Sequence, residues 1–110
     1  MDDTKIIDMY WRRDEQAISE TDAKYGLMCL KISANILGNK EDAQETVNDA
    51  YLTTWNTIPP ERPTLLGSFV AKITRNISLK RLEFNNAKNE NQILLSLLKN
   101  YLNTYQVTLT

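Results

Sequence analysis

The six glycines and prolines of this chain stand at Gly26, Gly38, Pro59, Pro60, Pro63 and Gly67, and none follows Gly67. These residue types interrupt regular structure most strongly, so breaks are expected near 38 to 40 and 57 to 64, with unbroken elements on either side. Within those intervals apolar residues recur at three- and four-residue steps, the period of a helix, and no alternating period-two run competes. The expected fold class is therefore all-α, a compact three-to-four-helix domain. A length of 110 residues, 42% of them hydrophobic, is just enough to bury a modest core.

The individual helices follow from the same spacing. A short one is expected through Ile6, Ile7 and Tyr10. Asp14 can cap a second, whose Ile18, Thr21, Tyr25, Met28, Ile32 and Ile36 form a stripe ending at Leu37, with Gly38 as the C-terminal stop. Asn39 is a good N-cap for a third, with Asp42 at its third position, Ala43, Val47, Ala50, Tyr51 and Thr54 along one face, and Trp55 closing it. After the proline-rich loop, Thr64 can cap another long helix with Leu66, Phe69, Val70, Ile73 and Ile77 inward. Residues 85 to 92, NNAKNENQ, read as a polar linker between a domain over 1 to 84 and a C-terminal amphipathic segment over 93 to 110. In that segment Ile93, Leu94, Leu97, Leu98, Tyr101, Leu102 and Tyr105 form a further stripe before a Thr-rich end.

Composition removes several function classes. Histidine is absent and Cys29 is the only cysteine, which excludes Ser-His and Cys-His pairs, HExxH zinc sites, zinc fingers and internal disulfides. With no glycine-rich phosphate loop either, no enzyme activity and no cofactor is expected. No apolar run approaches the roughly 20 residues that span a bilayer, and the N-terminus lacks a signal-peptide pattern, so a cytoplasmic protein without membrane contact is expected. Cys29 lies on the buried stripe beside Met28 and Ile32 and reads as an inert packing residue. Tyr51, Trp55 and Phe69 fall on inward stripes and read as core.

Charge is divided along the chain. Residues 1 to 61 carry six Lys/Arg against twelve Asp/Glu, and residues 62 to 110 carry seven against two. Asp42, Glu45, Asn48 and Asp49 recur at three- and four-residue steps opposite the Val47 and Tyr51 stripe, which makes an acidic ridge. That ridge is either a solvated face or a surface for a basic partner. Further on, Lys72, Arg75, Lys80 and Arg81 can contact phosphates, and Asn76 offers an amide that both donates to and accepts from a base edge. The plain alternative is that these cations complement the helix dipole.

Three motifs lie in order between Tyr25 and Leu82: the helix break ILGNKEDA, the run D-A-x-E-x-V-x-x-x-Y-L-x-x-W from Asp42 to Trp55, and F-x-x-x-I-T-R-N-I from Phe69 to Ile77. In this order and spacing they resemble region 2 of a bacterial RNA polymerase sigma factor, of the extracytoplasmic-function class of the sigma-70 family. The resemblance implies a region 2 domain that docks on the clamp helices of the largest subunit of core RNA polymerase through Asp42, Glu45, Asn48 and Asp49. Asn48 and Asp49 stand where Gln and Glu are usual, each one methylene shorter. It also implies recognition of the single-stranded non-template minus-ten promoter element. The loop NTIPPERP, with Asn56, Thr57 and Arg62, would hold an extruded base, and Lys72, Arg75, Asn76, Lys80 and Arg81 would hold the strand. An anti-sigma protein is a further implied partner. The helix-turn-helix region 4 of this class has no counterpart in these residues, so a region 2 module alone is expected. The alternative is a helical interaction module that dimerises through the Ile93 to Tyr105 stripe and has no DNA role.

Overall fold

The structure, a computed structural model, describes residues 1 to 104. Among these the regular elements are four helices: α1 (Asp3–Trp11), α2 (Gln16–Leu37), α3 (Lys40–Thr57) and α4 (Leu66–Thr104). The cap expected at Asn39 forms, while α2 has Glu15 at its N-cap position without a side-chain bond, and Asp14 serves its first turn from one residue earlier. Asp14 accepts from the Gln16 backbone N–H at 3.0 Å, and Asn39 accepts from that of Asp42 at 3.0 Å. Gly38 ends α2 in the left-handed conformation at φ 67°, where a side chain would be strained. Helix α4 starts later than a Thr64 cap would place it, and the Leu65 carbonyl accepts its first bond, from Phe69.

Helix α2 lies centrally, packed against α1, α3 and α4. Its buried row is Ala17, Thr21, Cys29 and Ser33, while Ile18, Tyr25, Met28, Ile32 and Ile36 of the expected stripe are only half-buried. The stripe is thus rotated toward small and hydroxyl-bearing residues. Burying them is cheap because each hydroxyl is bonded: Thr21 donates to the Ala17 carbonyl and is bonded to the Tyr10 hydroxyl at 2.6 Å. Ser33 meets Ser78 of α4 at 2.9 Å. On α4 the buried row Leu66, Val70, Thr74 and Ser78 works the same way, with Thr74 donating to the Val70 carbonyl. Small side chains on both helices let their backbones approach closely. Helix α3 buries Ala43, Val47, Ala50, Tyr51 and Thr54 as expected, and Thr46 besides. Burial pushes the Cys29 thiol up, in keeping with a packing role.

The turn between α1 and α2 is pinned by Arg13, which sits at φ 57°. Its guanidinium lies 3.6 Å from the Trp55 ring centroid and donates to the carbonyls of Trp55 and Ile58 at 3.0 and 2.8 Å. A cation there satisfies carbonyls that the end of α3 leaves without helical partners.

The largest departure from expectation is residues 85 to 92. They are not a linker but part of α4, which continues for 39 residues, about 58 Å at 1.5 Å per residue. Ala87, Lys88, Glu90 and Gln92 are good helix formers, and without Gly or Pro nothing stops the helix despite its asparagines. From Glu83 to Thr104 only Asn85 and Leu102 are even half-buried, so this half of α4 projects from the body formed by the other elements. Tyr105 and the Thr-rich end fall outside the described residues.

Candidate nucleic-acid interface and docking face

On α4 each residue turns the helix by about 100°, so the residues opposite the buried row Leu66, Val70, Thr74 and Ser78 are fixed by that row. They are Lys72, Arg75, Asn76 and Lys80, all exposed. Among the described residues no ion pair or hydrogen bond engages their side chains. The result is an outward row of three cations around one amide, with the exposed Glu83 at its far end.

Arg81 does not belong to that row. It follows Ser78 by three residues on the inward side, and its Nη2 lies 3.3 Å from Asp42 Oδ1 and 3.6 Å from Glu45 Oε2 of α3. Asn85 donates to the other Asp42 oxygen at 3.4 Å. Arg81 Nε is buried without a hydrogen-bond partner. Two residues expected on separate binding surfaces, Arg81 and Asp42, are therefore engaged with each other across the α3–α4 packing. Asp42 is half-buried, which leaves Glu45, Asn48 and Asp49 as the exposed part of the acidic face.

The helical period adds a residue to that face. Leu52 follows Glu45 by seven positions and Asn48 by four, and it is 58% exposed. An exposed leucine within an acidic row suits a partner surface that is basic at its rim and apolar at its centre. The charge pattern alone had hidden it. The signal was available in the spacing, since Leu52 falls off the Val47 and Tyr51 stripe.

The loop after α3 is tied to the body on both sides. Ile58 is fully buried, and the Glu61 backbone N–H donates to the Thr57 carbonyl at 3.0 Å. Of the residues expected in a loop touching DNA, Asn56 and Thr57 instead belong to the last turn of α3, Asn56 exposed and the Thr57 hydroxyl donating to the Thr53 carbonyl at 2.6 Å, while Arg62 of the loop is ion-paired with Asp8. The Arg62 guanidinium also sits 5.8 Å from the Trp11 ring centroid. Asp8 and Trp11 thus hold the loop's one arginine against α1.

Beneath these faces two partly buried carboxylate–phenol contacts fix the helices. Tyr51 donates to Asp22 at 2.6 Å, and burial, reinforced by that bond, pushes the phenol far above its usual range. Tyr25 donates to Asp3 at 2.7 Å, and Lys24 reaches the same oxygen at 2.7 Å. Burial works against the Asp3 carboxylate, but the bonds from Lys24 and Tyr25, with the Leu66 backbone N–H adding to them, hold its carboxyl below the usual value. Among the described residues no cluster of Cys, Asp and Glu has the form of a metal site, and no helix is long and apolar enough to cross a membrane. Comparison of the chain with protein-family models, with curated proteins and with solved structures gives no match.

Proposed function

We propose that this chain is a region 2-type sigma module: a cytoplasmic, non-enzymatic domain that docks on core RNA polymerase and holds the single-stranded minus-ten promoter element. The observation that carries the reading is the outward row of α4, where Asn76 stands among Lys72, Arg75 and Lys80 with no internal partner for any of the four side chains. The order and spacing of the three motifs support it from the sequence side. In this mechanism the cations fix the strand by its phosphates, and Asn76 reads a base edge. Asn56 at the end of α3 faces the extruded base, while Arg62 of the loop acts through its hold on α1. Glu45, Asn48, Asp49 and Leu52 meet the clamp helices of the polymerase's largest subunit, and an anti-sigma protein would compete for these same faces.

The experiment is oligonucleotide binding to the complex of this chain with core enzyme. Arg75→Ala should weaken all single strands about equally. Asn76→Ala should cost about 1 to 3 kcal/mol against the preferred sequence and little against others. With three phosphate contacts rather than four, the slope of log affinity against log salt should be about −2. Equal affinity for a scrambled strand would remove the base-reading role. On the other face, Glu45→Lys with Asp49→Lys should abolish capture by core enzyme; because Glu45 also faces Arg81, a small fall in thermal stability is expected with it, whereas Asp49→Lys alone should weaken capture without that fall, and unchanged capture would remove the assignment. One observation favours the second reading, a helical interaction module without a DNA role: the exposed apolar side chains on the projecting half of α4.

A further inference from the structure

Past Lys80, α4 carries a pattern the body does not use. Phe84, Ala87, Asn91, Leu94, Leu98 and Tyr101 alternate three- and four-residue steps, the seven-residue repeat of a coiled-coil seam with Phe84, Asn91 and Leu98 at a positions and Ala87, Leu94 and Tyr101 at d. All six are exposed, Leu94 at 67%. The face away from this seam is rich in Asn, Gln and Ser. A helix in water gains little from propensity alone over such a length, and this one exposes leucine on each of its last turns.

We infer that a second copy of this chain covers the seam, the two α4 helices lying parallel and in register as a two-stranded coiled coil over residues 84 to 104. Charge sets the direction. In a parallel pair each g position faces the e position five residues on in the other helix, which places Glu83 against Lys88 of the other copy, Glu90 against Leu95 and Leu97 against Leu102, each twice per dimer, so that the one charge pair is of opposite sign. An antiparallel pair would instead set g against g, glutamates among them. The number of strands follows from Asn91: a single asparagine at an a position bonds to its counterpart and specifies a register. The upstream limit follows from Lys80, which occupies the preceding d position and would oppose a second ammonium. Because the seam begins beyond the basic row, self-association stands apart from the DNA reading, and failure of either leaves the other in place.

Sedimentation equilibrium of the full chain tests the inference, and a mass rising with concentration to that of a dimer is expected. Leu94→Asp should weaken association by more than about a hundredfold, with the thermal unfolding of the body unchanged since Leu94 touches none of it. Glu83→Lys and Lys88→Glu should each weaken it by about two- to tenfold, and the two together should restore it. Asn91→Cys should cross-link rapidly on mild oxidation, whereas the parent chain, whose Cys29 is buried, should not. A monomer at every concentration, or full dimerisation of Leu94→Asp, overturns the inference. Dimerisation without recovery in the double charge swap, or without cross-linking through position 91, overturns the parallel register.

Discussion

The two halves of α4 are one helix with opposite relations to water. From Leu66 to Ser78 its buried row contains two hydroxyl residues, Thr74 and Ser78, and still lies at no measurable exposure. From Phe84 onward it carries larger apolar side chains, and Phe84, Ile93, Leu94, Leu95, Leu97, Leu98 and Tyr101 are 54 to 67% exposed. Hydrophobicity therefore does not decide which half joins the core. Proximity does: the first half has α2 and α3 beside it, and its small residues allow close approach with every hydroxyl bonded to a carbonyl or to another hydroxyl. The second half has run past the ends of those helices.

The contrast is most easily broken in the body. Tyr10 is fully buried and bonded to Thr21, so Tyr10→Ala should cost about 3 to 5 kcal/mol, read as a fall in the denaturation midpoint. Gly67→Ala comes next. A Cβ there would lie 2.7 Å from the Tyr25 ring, which is itself held by Asp3, and a cost of about 1 to 3 kcal/mol is expected by thermal unfolding. A smaller effect should appear with acid. Since the Asp3 carboxyl is held below its ordinary value, its contribution is complete above about pH 4 and is lost as pH falls through the folded value. Asp3→Asn should flatten that part of the pH–stability curve, and an unchanged slope would show that the Lys24 and Tyr25 contacts contribute nothing. The smallest effect should come from Ile93→Ser. Ile93 is 62% exposed and lies off both the body and the seam, so the midpoint should move by less than about 0.5 kcal/mol.

What could be read from the sequence was local. The cap at Asn39, the stop at Gly38 and the buried face of α3 each depend on residues within one or two turns of each other, and they stand as the spacing predicted, while Asp14 bonds to the first turn of α2 from one residue before its N-cap. The all-helical class followed from the same pattern. In the central row of α2, Thr21 and Cys29 were legible as buried, but Ala17 and Ser33 escaped because they carry too little apolar weight to mark a stripe, and Ser33 suits the core only through its bond to Ser78. Arg13, which pins residues 42 and 45 positions away, left no local mark at all. The engagement of Arg81 with Asp42 was not legible, because the row Val70, Thr74, Ser78 that leads to Arg81 contains two hydroxyl residues that the apolar spacing passed over. The polar run at 85 to 92 misled because asparagine is a poor helix former, yet the absence of any Gly or Pro after Gly67 was the better guide.

The continuity of α4 also couples its two halves by angle. Since no hinge separates Arg75 from Leu94, the direction in which the apolar seam points is set by the direction of the basic row, as two teeth on one shaft are. Removing a single residue between 86 and 90 would turn the seam by about 100° relative to the body, whereas removing seven would return it to within about 20°. Apart from Asn85, which touches Asp42, Ala87 and Asn91, which lie in the seam, and Lys88, which faces Glu83 of the other copy, the side chains of the polar run are free to vary. Its length is not.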